Sequence, residues 1–407
     1  MLGIVFFLAS LGELLRLSFF DRIGVLPLDL FVLFFGFFYV LQKIWKKESL
    51  QFPLFFPVLL FFMWGGFGVI FQSYFIGFSS GETFQAFAYL IRFLSSLLLI
   101  YPCIDMVHLS PKKLKKILYS SAFLVFIFGM IQLKFFPSFY DLRMHESGWD
   151  PHIGRLLSTW FDPNYLGIFF SAAFLFLLGD SWNVFKKWQF PFWRMVLLMC
   201  FLYAVGITYS RSAYLGLLAG GALFAFFTDK RLLILGFSAV LLLISFSSRA
   251  QERAWNAVKS AESLLVQTET LPDATSRLRI QSWKVGWNIF TKHPVVGVGF
   301  NTLKTVQKKE WTFMTKSHAG SGIDASVLTV LSTTGGVGGL LFLWGMWRVV
   351  LLAWKRFGKE SDALYLGILS AGLALFVSSF FVNALFFHLL LPYCMGALAF
   401  LFAKKTI

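Results

Sequence analysis

Three short segments of this chain pair arginine with hydroxyl, amide, imidazole or carboxylate groups, and a fourth carries imidazole and carboxylate without arginine. The first runs Gly154-Arg155-Leu156-Leu157-Ser158-Thr159-Trp160-Phe161-Asp162-Pro163-Asn164-Tyr165-Leu166-Gly167. The second is Thr208-Tyr209-Ser210-Arg211-Ser212-Ala213-Tyr214. The third joins Arg277, Arg279 and Trp283 to His293-Pro294-Val295-Val296-Gly297-Val298-Gly299. The fourth carries His318 and Asp324 ahead of a glycine-rich run, Gly335 to Gly339. A planar guanidinium grips phosphate oxygens with two parallel hydrogen bonds and stays charged. A histidine near neutral pH, or a carboxylate, takes the proton of an attacking alcohol. Together these groups suit displacement of a diphosphate by a hydroxyl.

Each segment also has a plainer reading. Asp162 and Asn164 can cap a helix that opens at Pro163. Arg211 can extend to lipid headgroups. A Gly-Val-Gly by itself is a weak phosphate signal, and a lone histidine is more often structural than catalytic.

The elements that must position these groups are membrane helices. Of the 407 residues 57% are hydrophobic and 14% charged, with 53 phenylalanines, and mean hydropathy is +0.72. That composition excludes a disordered chain, a disulfide scaffold and a soluble nucleic-acid-binding domain. Apolar runs near the length a bilayer requires fall at 2–19, 24–42, 53–72, 84–103, 117–134, 160–179, 194–209, 212–228, 232–247, 326–347, 362–381 and 384–403. They predict an all-α polytopic bundle of about twelve transmembrane helices. The expected organisation is helices 1–9 over 1–247, an external amphipathic helical loop over 248–325, and helices 10–12 over 326–407. Glu13 and Arg16 interrupt the first run, so it reads as a retained, imperfect span. Lysine and arginine crowd alternate short connections, which the positive-inside rule makes cytoplasmic, with both termini inside. The net charge of +16 is then a topology signal. Cys103, Cys200 and Cys394 have no paired spacing and read as small core residues; the six histidines give little support to a metal site.

Between 248 and 325 the chain is polar and basic, with amphipathic patterns at 251–265 and 277–292. In the second, Arg279, Trp283, Trp287 and Phe290 roughly share a face, a composition suited to a lipid–water interface. The plain reading is a solvated cap over the bundle.

In order along the chain, Gly-Arg-x-x-Ser-Thr-x-x-Asp-Pro-Asn-x-x-Gly at 154–167, Ser-Arg-Ser-Ala at 210–213, Arg-x-x-x-Trp with His-Pro-x-x-Gly-x-Gly over 279–299, and the His-to-glycine-rich span at 318–339 resemble the O-antigen ligase-like family of bacterial membrane glycosyltransferases. The resemblance implies a helical bundle with a large external loop. It implies a metal-independent, inverting activity that needs no cofactor and moves a glycan from undecaprenyl diphosphate in the bacterial cell (inner) membrane to a lipid or glycan hydroxyl. By it, Arg211 and Arg279, with Arg277 and Arg155, bind the diphosphate; Asp162, Asn164 and Ser210 support them. His318 is the base, with Asp324 either its orienter or the base itself; Ala319 follows His318 where the family usually has asparagine. A polymerase using the same donor, a transporter or flippase, and a lipid-binding scaffold are the rival expectations.

Overall fold

The computed structural model describes residues 1–19, 23–50, 52–147, 149–234, 274–310 and 322–403, with a few isolated positions between 238 and 259. Its helices are α1 (Leu2–Leu11), α2 (Pro27–Trp45), α3 (Phe55–Gln72), α4 (Ser80–Leu98), α5 (Ile100–Leu109), α6 (Pro111–Phe135), α7 (Pro163–Phe185), α8 (Phe192–Thr208), α9 (Arg211–Phe227), α10 (Ala274–Lys292), α11 (Leu303–Glu310), α12 (Ser326–Glu360), α13 (Ala363–Ser378) and α14 (Leu391–Phe402). Among the described residues, six helical segments are long and apolar enough to cross a bilayer, and five apolar helices are shorter. This is a multi-pass membrane protein. The segments expected at 232–247 and 251–265 lie largely outside the described residues.

Two expectations need correction. The run 2–19 is not one helix. Gly12, at φ 50°, ends α1, and a 3-10 turn follows to Leu15. Leu17–Phe19 (β1) then pairs antiparallel with Ile23–Val25 (β2), a short hairpin in a mostly helical fold. Glu13 and Arg16 break the apolar run there, and a short hairpin satisfies the backbone that the helix abandons. The last run, 384–403, begins with a 3-10 turn at Ala384–Phe386, and its helix starts only at Leu391, where Pro392 falls in the first turn.

Small residues set the packing of the centre. α13 lies along both α7 and α9. A Cβ on Gly179 would stand 2.7 Å from the Ala363 carbonyl oxygen and from Gly367 Cα. One on Gly216 would stand 2.5 Å from the Ala374 carbonyl oxygen. Lipid tails are as apolar as leucine, so close backbone approach and dispersion, rather than the hydrophobic effect, join helices here. At the opposite end of the bundle from the starts of α7 and α9, Asp180 ties α7 to α6 and α8 through Lys115, Tyr119 (3.0 Å) and Arg194 (3.6 Å).

Candidate functional site

The rim, the end of the bundle where α7 and α9 begin, collects the first two segments. The chain passes from α8 to α9 with almost no loop. Tyr209 takes a left-handed conformation (φ 49°), and Ser210 caps α9. Leu156 N–H donates to the Ile207 carbonyl (3.1 Å), which lays the 154–160 strip against the end of α8. Arg155 is buried there. Its Nε donates to the Thr208 carbonyl (2.8 Å), and Nη2 to the Tyr209 carbonyl (3.4 Å) and Asn164 Oδ1 (3.5 Å). These are the carbonyls that a helix C-terminus leaves unmet. Ser210 Oγ donates to the same Asn164 oxygen (3.0 Å). Asp162 Oδ1 accepts the amides of Asn164 (2.6 Å) and Tyr165 (3.2 Å) at the start of α7. Burial lifts the Asp162 carboxyl above its ordinary range, against the pull of those amides and of Arg155.

Arg211 is the first residue of α9 and half-buried. A cation there opposes the helix dipole and adds to an already positive terminus. Beside it, the Ser212 carbonyl accepts from Ser378 Oγ at the end of α13 (2.9 Å). From that same end the chain continues to Phe381, whose ring lies 5.9 Å from the Arg279 guanidinium carbon and 6.0 Å from the Trp283 ring. The end of α13 therefore touches the start of α9 through Ser378 and α10 through Phe381.

Asp324 adjoins α10. Its N–H donates to Ser282 Oγ (3.0 Å), and its carbonyl accepts from Trp283 Nε1 (3.0 Å). Two bonds from α10 thus hold its backbone while the residue stays exposed. The Tyr165 ring lies flat on Phe387, centroids 4.0 Å apart. Arg277 is on the exposed face of α10. His318 lies outside the described residues.

The glycine motif at 293–299 has a structural role that its sequence leaves open. α12 is broken at Gly335 (φ 65°, ψ −169°). The 293–299 turn docks into the break. Val298 and Gly299 donate to the Ser332 and Thr333 carbonyls (2.9 Å each), and Gly336 donates to the Pro294 carbonyl (2.7 Å). Trp64 Nε1 takes the Thr334 carbonyl (2.8 Å). A Cβ at Gly297 would overlap the Thr333–Thr334 peptide, and one at Gly335 would overlap Val295. The close backbone approach that these glycines permit is to protein.

The apolar face of α10 also differs from the one the spacing suggested. Ser282, Val285, Gly286 and Ile289 turn inward, and Ser332 Oγ of α12 donates to the Gly286 carbonyl (2.8 Å). The Arg279–Trp283–Trp287 stripe stands beside that contact, and Trp287 is 53% exposed.

Sequence reasoning missed a second ionic group. Glu13 meets Arg16 (3.2 Å) and His388 Nε2 (3.7 Å), and Asp29 meets Arg92 (2.8 Å). Arg16 also lies over Trp149 (5.4 Å). The available signal was ionisable residues inside apolar segments, which must pair; their partners are distant in sequence. Elsewhere in the bundle an apolar cavity of about 290 Å³ is lined by Phe61, Phe93, Leu118, Phe169, Leu375 and Leu385 among others.

The fold and site define a multi-pass membrane protein whose rim gathers arginine, serine, asparagine and aspartate. Residues 195–343 match the O-antigen ligase family. That segment, which holds the second, third and fourth motifs, is similar to the O-antigen ligase family. It is also 23% identical over 253 residues to TuaE, a teichuronic acid biosynthesis protein of Bacillus subtilis (strain 168). That match covers 57% of this chain and 49% of the relative, so the chain spans about half the length of that protein.

Proposed function

We propose that this chain is a glycosyltransferase that moves a glycan from undecaprenyl diphosphate to an acceptor hydroxyl at the outer face of the bacterial cell membrane, with both termini cytoplasmic. The observation that supports the reading is that the end of α13 touches both the helix that Arg211 opens and the helix that carries Arg279, within the segment similar to the ligase family. Their guanidinium groups hold the diphosphate and take up the charge that grows on it as it leaves. Arg277 adds positive charge on the same helix. Arg155, held by main-chain carbonyls, positions the α8–α9 turn and Asn164 rather than meeting the substrate. Asp162 and Ser210 cap the helices that present this rim.

In the transfer step the acceptor oxygen attacks the anomeric carbon. The bond from that carbon to the diphosphate oxygen breaks, and its electron pair leaves with the diphosphate. The hydroxyl proton passes to His318, with Asp324 orienting it, or to Asp324 itself. The apolar cavity offers the prenyl chain a place inside the bundle. The similarity to TuaE, a teichuronic acid biosynthesis protein, favours a polysaccharide as the product. A ligase and a polymerase share this donor chemistry and differ in the acceptor.

The test is glycan transfer by purified protein in nanodiscs, with Arg211→Ala, Arg279→Ala and His318→Ala. Folded variants that transfer at the wild-type rate would overturn the reading. Surface glycans of a deletion strain then separate the products. Intact chains left unattached indicate a ligase; single repeat units indicate a polymerase.

A further inference from the structure

We propose that the outward face of α10 is a binding subsite for an acidic glycan, with Trp287 as its stacking platform; this rests on the transfer reading above and names the class of sugar that the site holds. An amphipathic helix lying on a membrane turns its apolar face to lipid. α10 does the reverse. Its apolar face, with Val285 and Ile289 at 4% and 1% exposure, is packed against the α12 side of the protein. The opposite face carries Arg277, Gln281, Lys284, Asn288 and Thr291, all exposed, and Trp287 stands among them. A face of that composition belongs in water.

An indole exposed among hydrogen-bonding side chains suits a sugar. The C–H face of a pyranose ring lies on the aromatic plane, and its hydroxyl edge reaches donors such as the Asn288 amide and the Thr291 hydroxyl. Phe290 braces Trp287 from its own helix, ring centroids 5.5 Å apart. The charge selects the kind of sugar. Residues 274–292 hold Arg277, Arg279, Lys284 and Lys292 and no acid, so a neutral glycan would leave this charge unanswered and a carboxylate-bearing one answers it. The spacing fits a chain that runs on from the diphosphate. Trp283 and Trp287 follow Arg279 at intervals of four residues, which puts Trp287 about 12 Å beyond Arg279 along the helix axis. Arg279 holds the diphosphate, and Trp287 receives a sugar further along the attached glycan.

The experiment uses the full chain in nanodiscs with two probes, an oligogalacturonide and a malto-oligosaccharide of equal length, and measures binding by calorimetry. The acidic probe is expected to bind at least about tenfold more tightly than the neutral one at low salt and to lose affinity as salt rises. Trp287→Ala should weaken it about fivefold, the scale of one aromatic stack, with Trp287→Phe in between. Lys284→Gln with Arg277→Gln should remove most of the preference for the acidic probe. Arg211→Ala should keep the probe's affinity while transfer is lost, which separates this inference from the transfer reading: if Arg211→Ala leaves transfer intact, that reading falls and the binding result still stands. Equal affinity for both probes, or unchanged binding in Trp287→Ala, overturns the subsite. Brominated lipids that quench the fluorescence difference between wild type and Trp287→Phe also overturn it, because they place the ring in the membrane.

Discussion

Arg155 and Arg279 carry the same guanidinium and belong to the same end of the bundle, yet their surroundings divide their work. Arg155 is 7% exposed and is satisfied by the Thr208 and Tyr209 carbonyls and Asn164. It closes the end of α8 and so fixes where α9 starts. Arg279 is half-buried over Phe381, on a helix whose outer face is polar and open. The floor of the rim is rigid and internally satisfied; the α10 wall stands open. A site that must grip a fixed diphosphate and admit a long glycan needs both. Residue type alone does not separate them, and the partners that the backbone supplies do.

The sharpest way to break this comparison is to alter each arginine and read rate and stability separately. Arg211→Ala is expected to lower transfer by about 100-fold or more, the scale of removing a preorganised charge-stabilising donor, with little change in thermal unfolding. Arg211→Lys should also fall well below wild type, because an ammonium cannot reproduce the two-pronged grip. Equal rates for Arg211→Lys and wild type would remove the argument for bidentate recognition.

Gly335→Ala tests the scaffold behind the wall. The new Cβ overlaps Val295 at a residue whose φ is 65°. The variant should lose about 2–4 kcal/mol from strain and from carbonyls displaced from their partners, read as a large fall in melting temperature in detergent. A Gly335→Ala protein with wild-type melting would show that the break in α12 relaxes freely.

Arg155→Ala should mirror Arg211→Ala. It leaves the Thr208 and Tyr209 carbonyls short of a donor and should cost about 1–3 kcal/mol of stability. Transfer should fall only as far as the turn is displaced. A loss of rate with unchanged melting would instead move Arg155 to the substrate.

Asp162 gives the smallest effect. Asp162→Ala removes the cap and should cost about 1 kcal/mol, whereas Asp162→Asn keeps it. Because burial raises this carboxyl above its ordinary value, the folded protein binds its proton more readily than the unfolded chain does. Its contribution to stability therefore falls as pH rises from the ordinary carboxylate range through the raised value. Asp162→Asn should lose that slope, and melting curves taken across mildly acidic pH check it.

Much of the fold was legible because hydrocarbon permits few solutions. Apolar runs of bilayer length must be helices, since no water is present to satisfy an open backbone. Aspartate and proline likewise marked the start of α7, because capping is local chemistry. Arg211 and Arg279 stood out because charge beside apolar segments is costly unless used. The hairpin after α1 was less legible, since pairing between Leu17 and Val25 depends on how the chain turns back. The contact of Glu13 with His388 and the ion pair of Asp29 with Arg92 join residues far apart in sequence, and no local pattern encodes such partners.

By itself, then, the sequence determined a membrane-embedded helical chain and the arginines worth asking about, because burial and capping act on neighbours. Only the tertiary structure decided which arginine is held by carbonyls and which stands at the open wall. It also decided that the 293–299 glycines receive a broken helix and that α10 turns its tryptophan outward. Each of these depends on which distant backbone arrives alongside, and that is settled when the helices pack.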